Sequence, residues 1–146
     1  MIEKLQVLFA VLVCYKHNIQ MMHWKVIGED FECIHRNLDE YTAKFSEIID
    51  DIAEMIMSLD GSPLTLQESI ELLSKTDAHV LIIESKDNYN DSEVSKALDI
   101  IFDDLYNIYT EIISTCEYSE CASKLDEHKY WLRLTGKYKI KRRLAQ

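Results

Sequence analysis

The sequence predicts an all-α protein, a four-helix bundle with a short extra helix in the crossover between helices two and three. Only three of its 146 residues are Gly and one is Pro, which disfavours a β-sandwich or a barrel with many turns. Apolar residues make up 47% of the chain and recur at helical spacing along four long stretches. A chain of this length is sufficient for one domain with a buried core.

The first two helices have clear ends. Helix one covers residues 2–27 without Gly or Pro, and Gly28 suits its C-terminal turn. Helix two begins after Asp30 and runs to about Leu59. Residues 60–63, with the sequence Asp-Gly-Ser-Pro, are a strong stop signal because Gly and Pro both interrupt helices.

The crossover is predicted to contain one short helix. Thr65 and Glu68 have the spacing of a capping box, which predicts a helix through Leu73. Residues from Ala78 to Ile83 are compatible with another helical turn. The polar stretch that follows, residues 86–91, is typical of a loop.

Two further helices complete the bundle. Ser92 is the predicted N-cap of the third long helix, which runs to about Thr115. We expect the last helix from about Ser119 to Leu134, and we expect it to give way to a tail near Gly136.

The charge of the chain changes sign at its C-terminal end. All 26 acidic residues lie before Arg133, and six of the 16 basic residues lie from that position onward. We therefore divide the chain into an acidic bundle, residues 1–136, and a basic tail, residues 137–146. The bundle repels nucleic acid, whereas the tail offers cations that bind it. These cations are Lys137, Lys139, Lys141, Arg142 and Arg143.

Residues 7–14 form an apolar run inside helix one. The run is too short to span a membrane, and Glu3 stands where a signal peptide carries basic residues. We therefore expect it to be the buried middle of the helix. The four cysteines form no C-x-x-C motif, which favours a reduced, cytoplasmic protein without membrane association.

Helix two carries two pairs of metal-ligand residue types. His35 and Asp39, and also Asp50 and Glu54, are four residues apart, so each pair shares one face of the helix. Asp39 and Asp50 are about three turns apart, so both pairs lie on one stripe. The pairs are nevertheless separated by about 16 Å along the axis, from the rise per residue. One helix therefore cannot close both pairs around one ion.

The two pairs are symmetric about residues 44–45. A second copy of the helix, laid antiparallel across a two-fold axis at that point, places Asp39 opposite the partner's Asp50. The same operation places His35 opposite the partner's Glu54. This arrangement predicts two equivalent sites, each shared by two chains.

His23 on helix one adds an imidazole to these ligands, and Trp24 follows it. Imidazole and carboxylate together are a mixed nitrogen and oxygen ligand set that suits iron, zinc or manganese. Each part alone has a simpler interpretation: a histidine of the core or of a helix cap, a solvated acidic face, a core tryptophan. The competing hypothesis is a plain helical interaction protein whose polar stripe is a dimer seam.

The spacing of these residues resembles that of the Dps family of mini-ferritins. The similarity covers about residues 10–70, and beyond them it is one of fold, with residues 127–132 similar to the family's last helix. Met55 departs from the family pattern, which has Arg directly after the Glu of the Asp-x-x-x-Glu motif. The residues that carry the resemblance are His23, Trp24, Gly28, Phe31, His35, Asp39, Asp50, Ile52, Ala53, Glu54, Gly61 and Pro63.

The resemblance implies a ferritin-like bundle and a hollow dodecamer built from two-fold dimers. Such a protein is a ferroxidase that oxidises Fe(II) with hydrogen peroxide or dioxygen, stores the ferric mineral inside and protects against oxidative damage. Each metal site would combine His23, His35 and Asp39 of one chain with the partner's Asp50 and the partner's Glu54. The adjacent tryptophan would intercept radicals at this centre, and zinc fits the same ligands as iron.

DNA binding is the alternative function. A nucleoid-associated protein would use the basic tail, residues 137–146, and its metal site would be vestigial or structural. Twelve copies of the tail would add avidity.

Overall fold

The computed structural model describes residues 1–76 and 80–144, and nearly all of its regular structure is helical. The helices are α1 (Ile2–Lys25), α2 (Phe31–Ser58), α3 (Leu66–Lys75), α4 (Asp91–Ser114) and α5 (Ser119–Leu132). α5 continues into a π-helical segment, Arg133–Ile140, and a last α-helical turn, α6 (Lys141–Leu144). Because α3 lies in the crossover between α2 and α4, the predicted all-α four-helix bundle with a short crossover helix is confirmed.

The core is formed by the apolar stripes of the long helices. On α2 the buried residues Ile34, Leu38, Phe45, Ile48 and Ile52 recur every three, four or seven positions, as a one-sided amphipathic helix requires. This stripe packs against a similar one on α1. Each fully buried side chain of this size contributes about 1.5–3 kcal/mol through burial of its apolar surface.

A cluster of aromatic rings joins three helices at the centre of the bundle. Tyr41 and Phe45 of α2 meet Phe102 of α4 and Trp131 of α5, with ring centroids between 5.4 and 6.3 Å apart. These edge and tilted contacts are the arrangements that aromatic pairs prefer. The cluster fixes α5 against α2 and therefore determines which polar side chains of the two helices meet.

The apolar run of residues 7–14 is the middle of α1, and Leu8, Ala10 and Leu12 within it are fully buried. The prediction for this run is therefore confirmed. Over residues 1–76 and 80–144, no helix combines the length and the apolar content needed to cross a membrane.

The turn between α1 and α2 is held by the segment that precedes α4. The N–H of Ile27 donates to the carbonyl of Tyr89 at 2.9 Å, and the N–H of Tyr89 donates to the carbonyl of Lys25 at 3.0 Å. Gly28 has a φ of +122°, a conformation that other residues rarely adopt. The turn places the C-terminal end of α1 beside the first residues of α2.

The start of α4 differs from the prediction. Its N-cap is Asn90 rather than Ser92: the Asn90 side chain accepts from the Glu93 N–H at 2.9 Å, and the Glu93 carboxylate accepts from the Asn90 N–H at 3.2 Å. This capping box satisfies two main-chain donors at once, whereas Ser92 lies inside the helix. The predicted capping box of α3 is confirmed.

Residues 80–83 do not form the predicted helical turn. The main chain of Leu81 is bound instead by side chains of α1. Its N–H donates to the Tyr15 hydroxyl at 3.0 Å, and its carbonyl accepts from Asn18 Nδ2 at 2.9 Å. These partners satisfy the main chain without a helix. Ala78, where the predicted turn begins, lies outside the described residues.

The last helix runs beyond its predicted end near Leu134. Gly136 lies inside it and approaches α4 so closely that a Cβ atom there would be 2.7 Å from the Cβ of Phe102. Glycine therefore permits close packing here and does not stop the helix. Ile140, four residues later, is buried. The assignment of residues 137–146 as a separate tail stays a prediction.

Ion pairs attach the basic C-terminal residues to α4. Lys141 Nζ lies 2.7 Å from a carboxylate oxygen of Asp99, and an Arg143 nitrogen lies 2.9 Å from one of Asp91. Lys137 Nζ is 3.7 Å from another carboxylate of the same helix. Three of the five cations predicted to bind DNA are therefore paired within the chain.

Basic residues also surround one ring of α4. The cationic groups of Lys129, Arg133 and Lys137 lie 4.9, 5.2 and 4.5 Å from the ring centroid of Tyr106. Such cation–π contacts stabilise exposed sites by about 0.5–1 kcal/mol each. Together with the ion pairs they form a basic stripe that follows α5 and the π-helical segment along α4.

Candidate metal centre

His23, near the end of α1, and His35, near the start of α2, lie against each other across the Gly28 turn. Their rings are stacked, with centroids 3.8 Å apart. Nδ1 of His23 lies 2.9 Å from the main-chain carbonyl of His35, and Nδ1 of His35 lies 2.9 Å from that of His23. The two helices are therefore connected by a reciprocal pair of hydrogen bonds.

This reciprocal pair fixes the tautomer of both histidines. A carbonyl oxygen only accepts, so each Nδ1 carries the hydrogen and donates it. The lone pair of each ring is then on Nε2, the nitrogen that the main chain does not use. Hydrogen bonds of this kind orient histidines that bind metals and select the nitrogen that binds. Nε2 is therefore the nitrogen of each neutral ring that could bind a metal.

Exposed apolar side chains border the histidine pair. Phe31 stacks on His35 with ring centroids 5.0 Å apart, and Trp24 is 61% exposed in the single chain. The interpretation of Trp24 as a core residue is therefore wrong for this chain. Ile27, which lies between Trp24 and Phe31 in the sequence, is also exposed, and large apolar side chains exposed around one turn are typical of a contact site.

The carboxylates of the predicted site occur in two separate places on α2. Asp39 is exposed one turn after His35, whereas Asp50 and Glu54 are exposed further along the helix. Within residues 1–76 and 80–144, no group of three ligand side chains comes together. Of the five predicted ligands, only His23 and His35 are in contact in the described part of the chain, and a site that combines all five stays a prediction.

Glu54 lines an open cavity of about 270 Å³. Met55, which stands where the resemblance leads us to expect Arg, lies in its wall, and the cation present there is Lys124. Lys124 Nζ is 3.9 Å from the Asp51 carboxylate. The residues that line the cavity are Asp51, Glu54, Met55, Ser58, Glu120, Cys121 and Lys124.

A hydrogen-bonded chain behind this cavity was not predicted from the sequence. Asp51 Oδ2 lies 2.8 Å from Nε2 of the buried His128, and Nδ1 of His128 lies 2.9 Å from the Tyr109 hydroxyl. Burial lowers the pKa of His128, and this effect outweighs the hydrogen bond to Asp51, which raises it. The sequence feature that could have indicated this chain is His128 itself, a histidine at a buried position of α5 between Leu125 and Leu132.

A four-helix bundle with one long crossover, here between α2 and α4, is the fold of the class of ferritin-like proteins. The chain belongs within this class to the family of DNA protection during starvation (Dps) proteins. It is 30% identical over 117 residues to the "DNA protection during starvation protein" of Helicobacter pylori, a match that covers 80% of the chain and 75% of the relative.

A second relative is matched over a smaller share of its length. The protein of the same name from Halobacterium salinarum is 32% identical over 119 residues, which are 81% of this chain and 58% of the relative. The chain thus spans little more than half the length of that relative. No family model matches the sequence.

Solved structures show the same fold. The crystal structure of a Dps protein from Bacillus brevis has a TM-score of 0.83 at 23% identity, with 98% of this chain and 93% of that chain covered. The crystal structure of Helicobacter cinaedi CAIP has a TM-score of 0.86 at 22% identity, with 98% of both chains covered. The predicted ferritin-like bundle is therefore confirmed.

Proposed function

We propose that the protein oxidises Fe(II) at sites shared by two chains, with hydrogen peroxide or dioxygen as oxidant, and stores the ferric product inside a hollow homo-oligomer. The observation that carries this proposal is the reciprocal hydrogen bonding of His23 and His35, which leaves both Nε2 atoms available to a metal. Family membership supports it, since the chain is related to proteins named for DNA protection during starvation.

Two half-sites combine in the proposed site. His23, His35 and Asp39 of one chain face the partner's Asp50 and the partner's Glu54 across a two-fold axis near residues 44–45. Imidazoles and carboxylates suit Fe(II) as the substrate, and zinc fits the same ligands. The carboxylates offset the positive charge that increases when Fe(II) becomes Fe(III).

The charge of the chain supports a role in collecting cations. The formal net charge is −10, and every acidic residue lies before Arg133. A surface with this excess of carboxylates raises the local concentration of Fe(II) and increases its rate of association.

The proposed oligomer is a dodecamer assembled from two-fold dimers. Trp24, Ile27 and Phe31 are exposed apolar side chains around the turn that carries the histidine pair, and contact with a second chain removes them from water. Trp24 then lies next to the site, where it intercepts radicals formed during oxidation.

A kinetic experiment tests the function. Protein without metal is mixed with Fe(II) under anaerobic conditions, hydrogen peroxide is added, and the absorbance of Fe(III) is followed. We expect fast oxidation in the wild type and a large loss of rate in Glu54→Ala, because a charged ligand of the site is removed. Glu111→Ala, which removes an exposed carboxylate from α4, is the matched control and should oxidise iron at the wild-type rate. Equal rates in Glu54→Ala and the wild type contradict the proposal.

A further inference from the structure

The chain of hydrogen bonds from Asp51 through His128 to Tyr109 has one consistent arrangement of hydrogens. The Asp51 carboxylate oxygen lies 2.8 Å from Nε2 of His128 and accepts its hydrogen, so Nε2 is the protonated nitrogen of the ring. Nδ1 is then an acceptor, and the Tyr109 hydroxyl donates to it over 2.9 Å. Tyr109 is fully buried, and His128 is 4% exposed. The phenol is thus connected to a base in a dry environment.

This arrangement has the chemistry of a one-electron donor. A phenol that loses an electron becomes a strong acid, so its oxidation is easy only where a base takes the proton at the same time. Burial raises the pKa of Tyr109 well above 10, so the resting residue is a neutral phenol and keeps its proton for that step. Asp51 stabilises the imidazolium that forms, because a buried charge needs a partner of opposite sign.

The location connects this chain to the candidate metal site. Asp51 and Glu54 are three residues apart on α2 and line the same cavity. An oxidant produced at Glu54 is therefore close to the carboxylate end of the hydrogen-bonded chain. Tyr109 lies behind it in the core and does not touch the cavity.

We propose that Tyr109 is a redox-active tyrosine that protects the protein from one-electron oxidants formed from hydrogen peroxide. The Tyr109 phenol gives one electron to a hydroxyl radical, which becomes hydroxide, and the phenolic proton moves to Nδ1 of His128. The products are a neutral tyrosyl radical, an imidazolium held by Asp51, and hydroxide. One Fe(II) then returns the electron and becomes Fe(III), and the proton returns to the phenol. This role of Tyr109 rests on the proposed function in one respect only: iron oxidation supplies both the oxidant and this Fe(II).

Tyr15 is the natural comparison within the chain. It is also buried, but its hydroxyl donates to the Asp104 carboxylate at 2.6 Å and accepts from a main-chain N–H. A carboxylate is a weaker base than an imidazole, so it takes the proton less readily. Tyr15→Phe is therefore a matched control for Tyr109→Phe.

A photochemical experiment without iron tests the tyrosine directly. In the full chain, laser excitation of tris(bipyridine)ruthenium(II) with an electron-accepting quencher generates a one-electron oxidant, and electron paramagnetic resonance records the protein radicals. We expect a neutral tyrosyl signal that is lost in Tyr109→Phe and retained in Tyr15→Phe. An unchanged signal in Tyr109→Phe overturns the proposal.

His128→Gln tests the path of the proton. Gln keeps a polar side chain but has no basic nitrogen, so we expect the tyrosyl signal to be lost. In the wild type, spectra recorded in H₂O and D₂O should show one exchangeable proton coupled to the radical. If His128→Gln does not fold, as judged by circular dichroism and thermal melting, Asp51→Asn replaces it, and a lower radical yield is expected because the imidazolium loses its carboxylate partner. An unchanged yield in the folded variant overturns the proton path.

In a third experiment, Fe(II) and hydrogen peroxide replace laser excitation as the source of the one-electron oxidant. We expect the same radical during iron oxidation, and more hydroxyl adduct on a spin trap in Tyr109→Phe than in the wild type. If light oxidises Tyr109 but the protein does not accelerate iron oxidation, the proposed function fails and the redox tyrosine stands. If iron is oxidised quickly without a Tyr109 radical, the redox tyrosine fails and the ferroxidase stands.

Discussion

His128 occupies a position where the neutral form of an imidazole is favoured. Its ring is enclosed between α2 and α4, with a carboxylate on one nitrogen and a phenol on the other. Burial, the largest effect, lowers its pKa below the usual 6.5. The unfolded chain therefore takes up a proton at this side chain at a higher pH than the folded protein does.

This difference predicts how stability depends on pH. As the pH falls through 6.5, the unfolded state binds the proton first, so the free energy of unfolding decreases. We expect this loss to be larger in the wild type than in His128→Gln, which has no group that titrates there. Urea denaturation of both proteins at several pH values between about 5 and 8 measures it. Parallel pH profiles for the two proteins contradict the prediction.

At the scale of single residues, the sequence provides candidate ligands but does not predict the contacts that their side chains make. His23 and His35 were identified from their residue type and spacing. Their mutual hydrogen bonds were not, because they depend on the angle at which α1 meets α2. The chain from Asp51 to Tyr109 was missed for the same reason, since it joins side chains from three helices that are distant in the sequence.

At the scale of helices, the N-cap of α4 provides a direct test. Asn90→Ala removes the acceptor of the Glu93 N–H and should destabilise the protein by about 1 kcal/mol. Ser92→Ala, two residues further on, removes a hydroxyl from an exposed helical position and should change stability by less than about 0.5 kcal/mol. Thermal or urea denaturation of both variants separates the two assignments of the cap. A larger effect for Ser92→Ala reverses the assignment.

Gly136 provides a second test at this scale, because two effects with opposite signs compete. Replacing Gly by Ala inside a helix usually stabilises by about 1 kcal/mol. Here the new Cβ would lie 2.7 Å from the Cβ of Phe102, and neither atom is the end of a flexible side chain. We expect the overlap to dominate, with a net destabilisation of about 1–3 kcal/mol in urea denaturation.

An exposed position of α5 serves as control for this variant. Ser123→Ala should change the free energy of unfolding by less than about 0.5 kcal/mol. A Gly136→Ala protein as stable as the wild type would show that α4 and the π-helical segment separate easily.

The helix boundaries show where sequence patterns succeed and where tertiary contacts override them. The turn signal at residues 60–63 ended α2 as predicted, because the left-handed Asp60 with the following Gly and Pro cannot continue a helix. The single Gly136 did not end α5, because its backbone packs on Phe102. Residues 80–83 formed no helix because α1 side chains bind the main chain of Leu81. The four helices and their order were predictable, but these two contacts were not.

At the scale of the whole molecule, the proposed site requires two chains. His35 and Glu54 lie 19 positions apart on one straight helix, a distance of about 28 Å from the rise per residue. The two halves of one chain therefore cannot meet. The two-fold arrangement predicted from the sequence remains a prediction. It implies that two inactive variants, mixed in one oligomer, can restore an intact site.

Mixing two inactive variants tests it. In a dimer of His35→Ala and Glu54→Ala chains, one site has both defects and the other has neither. Random pairing after co-refolding should therefore restore about a quarter of the wild-type sites. The initial rate of iron oxidation measures the recovery.

A second mixture is the control. His35 and Asp39 belong to the same half-site, so His35→Ala mixed with Asp39→Ala contains no intact site in any pairing. No recovery is expected. Equal recovery in both mixtures, or none in the first, contradicts a site shared across the two-fold axis.

The change from α-helix to π-helix at Arg133 sets the angular phase of the basic stripe. In an α-helix, with 3.6 residues per turn, side chains four positions apart advance beyond a full turn. In a π-helix, whose wider turn closes with i→i+5 hydrogen bonds, the same spacing falls short of one. Across Lys129, Arg133, Lys137 and Lys141 the two deviations offset each other, so the cations keep facing α4. The wider turn thus acts as a phase correction, without which the last cations would rotate away from their acidic partners.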